Sequence, residues 1–172
     1  MSYDFLTGGA RSGKSRSAER LAVQSESEVT VVATAEPGDD EMARRIARHR
    51  AERPSSWDTV EEPRDLLSAI SAIDPGRFLV LDCLTLWLAN MLAGDDSDIL
   101  ETGEVVAGEL ARRPGGGVVV SNEVGDGIVP ADPLSRRYRD LLGGMNRIFA
   151  DRADRAFLVV AGQVIRLERP PW

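Results

Sequence analysis

Cysteine, histidine and aromatic residues are scarce in this chain of 172 residues, which has one cysteine, one histidine and 5% aromatics. The lone Cys83 cannot close an intramolecular disulfide and excludes a cysteine-cluster metal site, which fits a reduced, cytoplasmic setting. With so few rings, the core has to be built mostly from Val, Leu, Ile and Ala. Long hydrophobic runs are missing too. The greasiest stretch, 78–92, is broken by Asp82, Thr85 and Asn90 and falls short of the ~20 apolar residues that a membrane span requires. The first residues lack the basic and then apolar pattern of an export signal, so secretion is not expected. Positive charge is in the minority, with 21 Lys and Arg against 28 Asp and Glu for a net charge of −7. That balance argues against non-specific attraction to nucleic acid or to an anionic membrane.

What is present fits a single domain, 1–172. Short β-branched or leucine-rich runs alternate with stretches of helical period, the pattern of a parallel sheet flanked by helices. Strands are expected at 4–7, 29–33, 78–81, 118–121 and 156–160, with a weaker candidate at 58–60. Helices are expected at 14–24, 40–52, 64–73, 85–92, 99–112 and 133–153. Asp39-Asp40 before Met42 and Asp132-Pro133 before Leu134 supply carboxylates at helix starts. Near the end, 157–161 and 164–167 flank Gly162-Gln163, a spacing that predicts a two-residue hairpin turn with glycine first and an antiparallel edge strand.

Gly8-Gly9-Ala10-Arg11-Ser12-Gly13-Lys14-Ser15 matches the phosphate-loop pattern G-x-x-x-x-G-K-[ST] and lies between an expected strand and an expected helix, the context that motif requires. Its glycines let backbone N–H groups converge on phosphate oxygens, and the following helix N-terminus adds partial positive charge. Lys14 is expected on the terminal phosphates and Ser15 on Mg²⁺. Asp82, at the end of the apolar run Phe78-Leu79-Val80-Leu81, is the expected second Mg²⁺ residue; a carboxylate there could also cap the next helix, and the two roles need not exclude each other. The fold implied is an α/β, P-loop, RecA-like domain with a mostly parallel sheet and a C-terminal antiparallel hairpin.

On the helix at 40–52, Met42, Arg45, Ile46 and His49 share one face, and Arg53 extends the stripe. The arginines would attract a triphosphate and favour the neutral imidazole, the form able to act as a nucleophile. Read from spacing alone, the same stripe is also what a solvated basic face with an incidental histidine looks like. The segment 122–130 reads either as an active-site wall presenting Glu123 or as a structural turn.

Taken together, these blocks resemble the bifunctional adenosylcobinamide kinase/adenosylcobinamide-phosphate guanylyltransferase family almost end to end. The likeness runs through the phosphate loop, Ala33-Thr34-Ala35, Asp40-Glu41-Met42, His49, Arg53-Pro54, Trp57 and Thr59-Val60-Glu61. It continues through Asp82-Cys83-Leu84-Thr85, Ser121-Asn122-Glu123-Val124-Gly125, Arg139-Asp140, Asn146 and Ala161-Gly162. A generic P-loop protein would share only the first block and Asp82.

The resemblance implies phosphorylation of adenosylcobinamide by ATP or GTP. It also implies transfer of GMP from GTP to adenosylcobinamide phosphate through a guanylyl-histidine, which falls on His49. It places catalysis on His49 and Lys14, and nucleotide contacts on Gly8 to Ser15, Ala33, Thr34, Ala35, Arg53, Glu61 and Asp82. Mg²⁺ falls to Ser15 and Asp82, and a ring-like homotrimer is implied. The chain departs from the family pattern at Val164, where a proline is often found, and at Asp4, whose polarity suggests a later start to the first strand. A P-loop small-molecule kinase without nucleotidyl transfer and a nucleotide-switched binding protein are the competing readings.

Overall fold

The computed structural model describes residues 2–171, so Trp172, expected in a loose tail, lies outside the described residues. The elements in chain order are β1 (Tyr3–Thr7), α1 (Lys14–Gln24), β2 (Val29–Ala33), α2 (Asp40–Glu52), β3 (Asp58–Glu61), α3 (Leu66–Ala72) and β4 (Phe78–Asp82). They continue with α4 (Leu84–Met91), α5 (Asp96–Arg112), β5 (Gly117–Val120), α6 (Pro133–Arg152), β6 (Arg155–Val160) and β7 (Gln163–Leu167). One sheet runs β3-β2-β4-β5-β1-β6-β7, parallel throughout except for the antiparallel β6–β7 edge pair. No helix among the described residues is long and apolar enough to cross a membrane.

The central strands β1, β2, β4 and β5 are buried on both faces, and their successive side chains divide between two cores. Tyr3, Phe5, Val32, Leu79, Leu81 and Val119 pack under α3, α4, α5 and α6. Leu6, Val29, Val31, Phe78, Val80, Val118 and Val120 pack under α1, which presents the small Ala18 and Ala22 to them. The core is mostly aliphatic, as its composition requires, but three rings meet in the layer under α3 to α6. Phe149 meets Tyr3 edge-on at 6.3 Å between centroids and Trp87 at 6.4 Å. The Tyr3 hydroxyl donates to the Phe149 carbonyl at 2.7 Å and the Trp87 indole to the Arg64 carbonyl at 2.9 Å, so both polar tips are satisfied.

Helix starts follow their caps. Asp39 accepts from the Met42 N–H, and Asp132 accepts from the Leu134 and Ser135 N–H groups with Pro133 in the first turn. The helix expected from 64 begins at Leu66 because Asp65 caps it and Glu62 ties up the Arg64 and Asp65 N–H groups. The helix expected from 99 begins instead at Asp96, where Asp96 and Asp98 sit favourably in its first turn. α2 stands apart, with no buried residue at all.

Two expectations are corrected. The hairpin turn is Ala161-Gly162 rather than Gly162-Gln163, since Val160 pairs with Gln163. Both turn residues have positive φ, 51° and 77°, the mirror-type turn that suits the twist of a hairpin and favours glycine second. Val164 is a paired strand residue opposite Val159, a place that β-branched side chains suit. The first strand starts early rather than late. Asp4 is accommodated because Arg155, its neighbour on β6, grips it with Nε to Oδ1 at 2.9 Å and a second nitrogen to Oδ2 at 2.6 Å.

The Asp4 side chain is 10% exposed and that of Arg155 is 48%. Arg155→Ala therefore strands a nearly buried carboxylate and should cost about 3 kcal/mol. Asp4→Ala leaves a guanidinium that can turn to water, and should cost less. Urea unfolding midpoints of the two variants will measure the asymmetry, and equal losses would contradict it.

Candidate functional site

The parallel register aligns Glu61, Ala33, Asp82, Val120 and Leu6 in one row across β3, β2, β4, β5 and β1. The carboxyl ends of these strands open together, the place where ligands bind in open α/β sheets. A cavity of about 930 Å³ lies there, walled by residues 10–16, Ala33, Ala35, Asp82, Cys83, Asn122 and the inner face of α2.

The phosphate loop leaves β1 through Gly8, whose φ of 149° and tight approach leave no room for a side chain: a Cβ there would run into the Val159 carbonyl. Two neighbours brace the loop. Gly162 of the hairpin turn donates to the Ser12 carbonyl at 2.8 Å, and the Glu123 N–H donates to the Gly8 carbonyl at 3.1 Å. Lys14 is buried, and its ammonium donates to the Gly8 and Gly9 carbonyls at 2.7 Å each. Burial pushes the proton affinity of Lys14 down, and Asp82 opposes that shift.

The expected site residues do not all face the cavity. Ala10 to Ser15, Ala33, Ala35, His49, Arg53, Glu61 and Asp82 do. Gly8 and Gly9 act from behind through their carbonyls. Thr34 is fully buried; its hydroxyl donates to the Cys83 carbonyl at 2.7 Å and accepts from the Cys83 N–H at 2.9 Å. Thr34 therefore splices the ends of β2 and β4 together instead of lining the cavity. Asp82 is not the cap of α4, because Cys83 holds that position. The Asp82 carboxylate instead meets the Arg53 guanidinium at 3.4 Å. Glu61 is taken by Arg50 at 3.1 Å, with both side chains exposed.

α2 delivers its whole stripe. Met42, Arg45, Ile46 and His49 line the cavity, and Arg53 follows in extended backbone as the helix cap. Arg11, Lys14, Arg16, Arg44, Arg45, Arg48, Arg50 and Arg53 line it against Glu41, Glu52, Glu61 and Asp82. An acidic chain thus carries a basic cavity suited to a polyphosphate.

Other residues were not singled out by sequence. A narrow crevice beside the cavity is lined by Ser15, Glu19, His49, Arg53, Trp57 and Asp82 among others. Burial, followed by the Glu52 carboxylate, pushes the Glu19 carboxyl above the usual range, and His49 pulls it back. Glu19 lies four residues after Ser15 on α1, a spacing that was available in the sequence but unremarkable on an ordinary amphipathic helix. The 122–130 loop does wall the cavity, through Asn122 rather than Glu123, whose carboxylate accepts from the Gly125 N–H at 2.6 Å. Asn122 is held by Thr85 at its N–H and by Asn146 at its carbonyl.

A mostly parallel sheet with a phosphate loop, a strand-end aspartate and a basic cavity defines a P-loop protein of the RecA-like class. Solved structures agree on the fold. The chain is similar to a protein from Pyrococcus horikoshii, with a TM-score of 0.58 and 8% identity over 96% of this chain and 85% of that one. It is also similar to a RadB recombinase, with a TM-score of 0.52 and 14% identity over 91% and 73% of the two chains.

Sequence relatives are nearer. The family model for cobinamide kinase / cobinamide phosphate guanyltransferase matches residues 5–167. The bifunctional adenosylcobalamin biosynthesis protein CobP of Pseudomonas aeruginosa is 48% identical over 170 residues, covering 98% of both chains. The corresponding CobU of Escherichia coli is 39% identical over 179 residues, covering 95% of this chain and 98% of that one. The chain belongs to this family, as a bifunctional cobinamide kinase and cobinamide phosphate guanylyltransferase of adenosylcobalamin biosynthesis, and its substrates include nucleotides.

Cys83 yields a test of the cavity's electrostatics. Burial, reinforced by the Asp82 carboxylate, pushes its thiol up to about 11. Only the thiolate reacts, so alkylation near neutral pH should run about a hundredfold more slowly than for an ordinary free thiol. The rate should keep climbing with pH toward that value, and a plateau in the range of ordinary thiols would contradict this picture of the site.

Proposed function

We propose that both reactions use the cavity at the carboxyl edge of the sheet, with His49 as the nucleophile of the guanylyl step. The observation that carries this reading is that the phosphate loop, Asp82 and His49 line one continuous basic cavity. In the kinase step, the loop N–H groups and Lys14 hold the triphosphate of ATP or GTP, and the γ-phosphoryl group passes to the aminopropanol hydroxyl of adenosylcobinamide. In the second step, His49 attacks the α-phosphorus of GTP. An N–P bond forms, the α–β phosphoanhydride breaks and pyrophosphate leaves on the loop. The phosphate of adenosylcobinamide phosphate then attacks the phosphoramidate and releases the imidazole, giving adenosylcobinamide-GDP.

Arg45 and Arg53 stand beside His49 to stabilise charge on the transferring group. Ala33 and Ala35 keep the β2 end of the wall small, and Glu61 holds Arg50 at the mouth. Ser15 and Asp82 line one crevice and offer hard oxygen donors that fit Mg²⁺, which keeps several waters and needs few protein ligands. That ion would supply charge neutralisation on the phosphates. The residues from 1 to 172 would serve as one catalytic domain. A homotrimer is the assembly we favour, supported by family resemblance and by the exposed apolar Val164, Ile165 and Leu167 on the β7 edge.

Incubation with GTP should give a guanylyl adduct on His49 that is labile in acid and stable in base. His49→Ala should abolish the adduct and the guanylylated product while still phosphorylating adenosylcobinamide. Lys14→Ala should lower both reactions by about a hundredfold or more. Mass spectrometry of the protein and chromatography of the corrinoid products measure these outcomes. An adduct that survives in His49→Ala would overturn the assignment.

A further inference from the structure

The proposed nucleophile has a neighbour with no structural task. Glu19 is half-buried on α1 and lines the crevice that His49 enters from α2. Ser15, one helical turn earlier, points to the same crevice, so Glu19 stands just behind the phosphate-binding end of its helix. Among the described residues, no arginine, lysine or histidine lies within ion-pair distance of its carboxylate. The charged groups acting on it are Glu52 and Asp82, which repel its charge, and His49 and Arg53, which favour it. A carboxylate kept partly out of water without a paired cation costs free energy unless another group uses it.

We propose that Glu19 is the positioning residue for His49: when GTP binds, its carboxylate closes across the shared crevice to accept the N–H of the imidazole nitrogen turned away from the nucleotide. This rests on the reading of His49 as nucleophile. A neutral imidazole has one N–H and one lone pair, and fixing the N–H on the far nitrogen leaves the lone pair on the near one. As the near nitrogen bonds to the α-phosphorus and pyrophosphate departs with the bonding electrons, the ring becomes cationic. The far N–H stays on the ring, and its hydrogen bond to the Glu19 carboxylate strengthens with the charge, so no proton need be transferred. When the acceptor phosphate displaces the ring, the imidazole leaves neutral, in the tautomer it started from. The orienting carboxylate thus serves the histidine in both halves of the guanylyl transfer.

His49 is the single histidine of the chain, so an imidazole ¹⁵N spectrum reports on it alone. In the wild-type protein with α,β-methylene-GTP bound, which cannot release pyrophosphate, one tautomer of the neutral ring should dominate. A tautomer ratio like that of free imidazole would overturn the proposal without any variant. Glu19→Gln should shift that ratio and slow adduct formation at saturating GTP by about 10- to 100-fold, with KM for GTP changed far less. Glu19→Asp should recover part of the rate. An unchanged adduct rate in Glu19→Gln, with His49→Ala inactive, would remove the role of Glu19 alone. An adduct that persists in His49→Ala would remove both assignments.

Discussion

The site depends on a register. Because β3, β2, β4, β5 and β1 run parallel and in step, the row from Glu61 through Ala33, Asp82 and Val120 to Leu6 ends on one level. A slip of one residue in β4 would turn Asp82 to the opposite face and bury a carboxylate among the aliphatic side chains under the other layer of helices. The buried hydroxyl of Thr34, bonded to both the carbonyl and the N–H of Cys83, locks that register where it matters most. β5 stands between the phosphate-loop strand and the aspartate strand, which sets the width of the cavity.

The phosphate loop is held by residues distant in sequence. Its backbone is pinned from one side by Gly162 and from the other by Glu123, and the Gly8 conformation leaves no space beside Val159. The C-terminal hairpin is therefore part of the site's frame. Asn146 and Thr85 do the same for Asn122 from α6 and α4. These contacts use backbone groups or neutral side chains, which leaves the arginines of α2 available for the cavity.

Strand and helix order, the phosphate loop, Asp82 and the α2 stripe were legible because each is a local pattern of spacing. What escaped depends on partners far along the chain. Asp4 reads as a misplaced charge until Arg155 is seen beside it. The hairpin turn was misread by one residue because Gly162 suits the first position of one turn type and the second of another, and only the pairing of Val160 with Gln163 decides. Thr34 sits within a motif that touches the cavity on both sides yet turns inward, and Glu123 is spent on its own loop while Asn122 faces the cavity. Glu19 carried no signal in sequence, since a glutamate on a surface helix is ordinary until a histidine from another helix shares its crevice.

α2 buries none of its residues, and its side chains reach the sheet through charge pairs, Arg50 with Glu61 directly and Arg53 of its cap with Asp82. Its docking is therefore ionic rather than hydrophobic. Dissolved salt screens such pairs, most strongly the exposed one. Raising ionic strength therefore weakens the hold of the histidine-bearing helix on the strand ends, a loss that the apolar layers on the two faces of the sheet do not share.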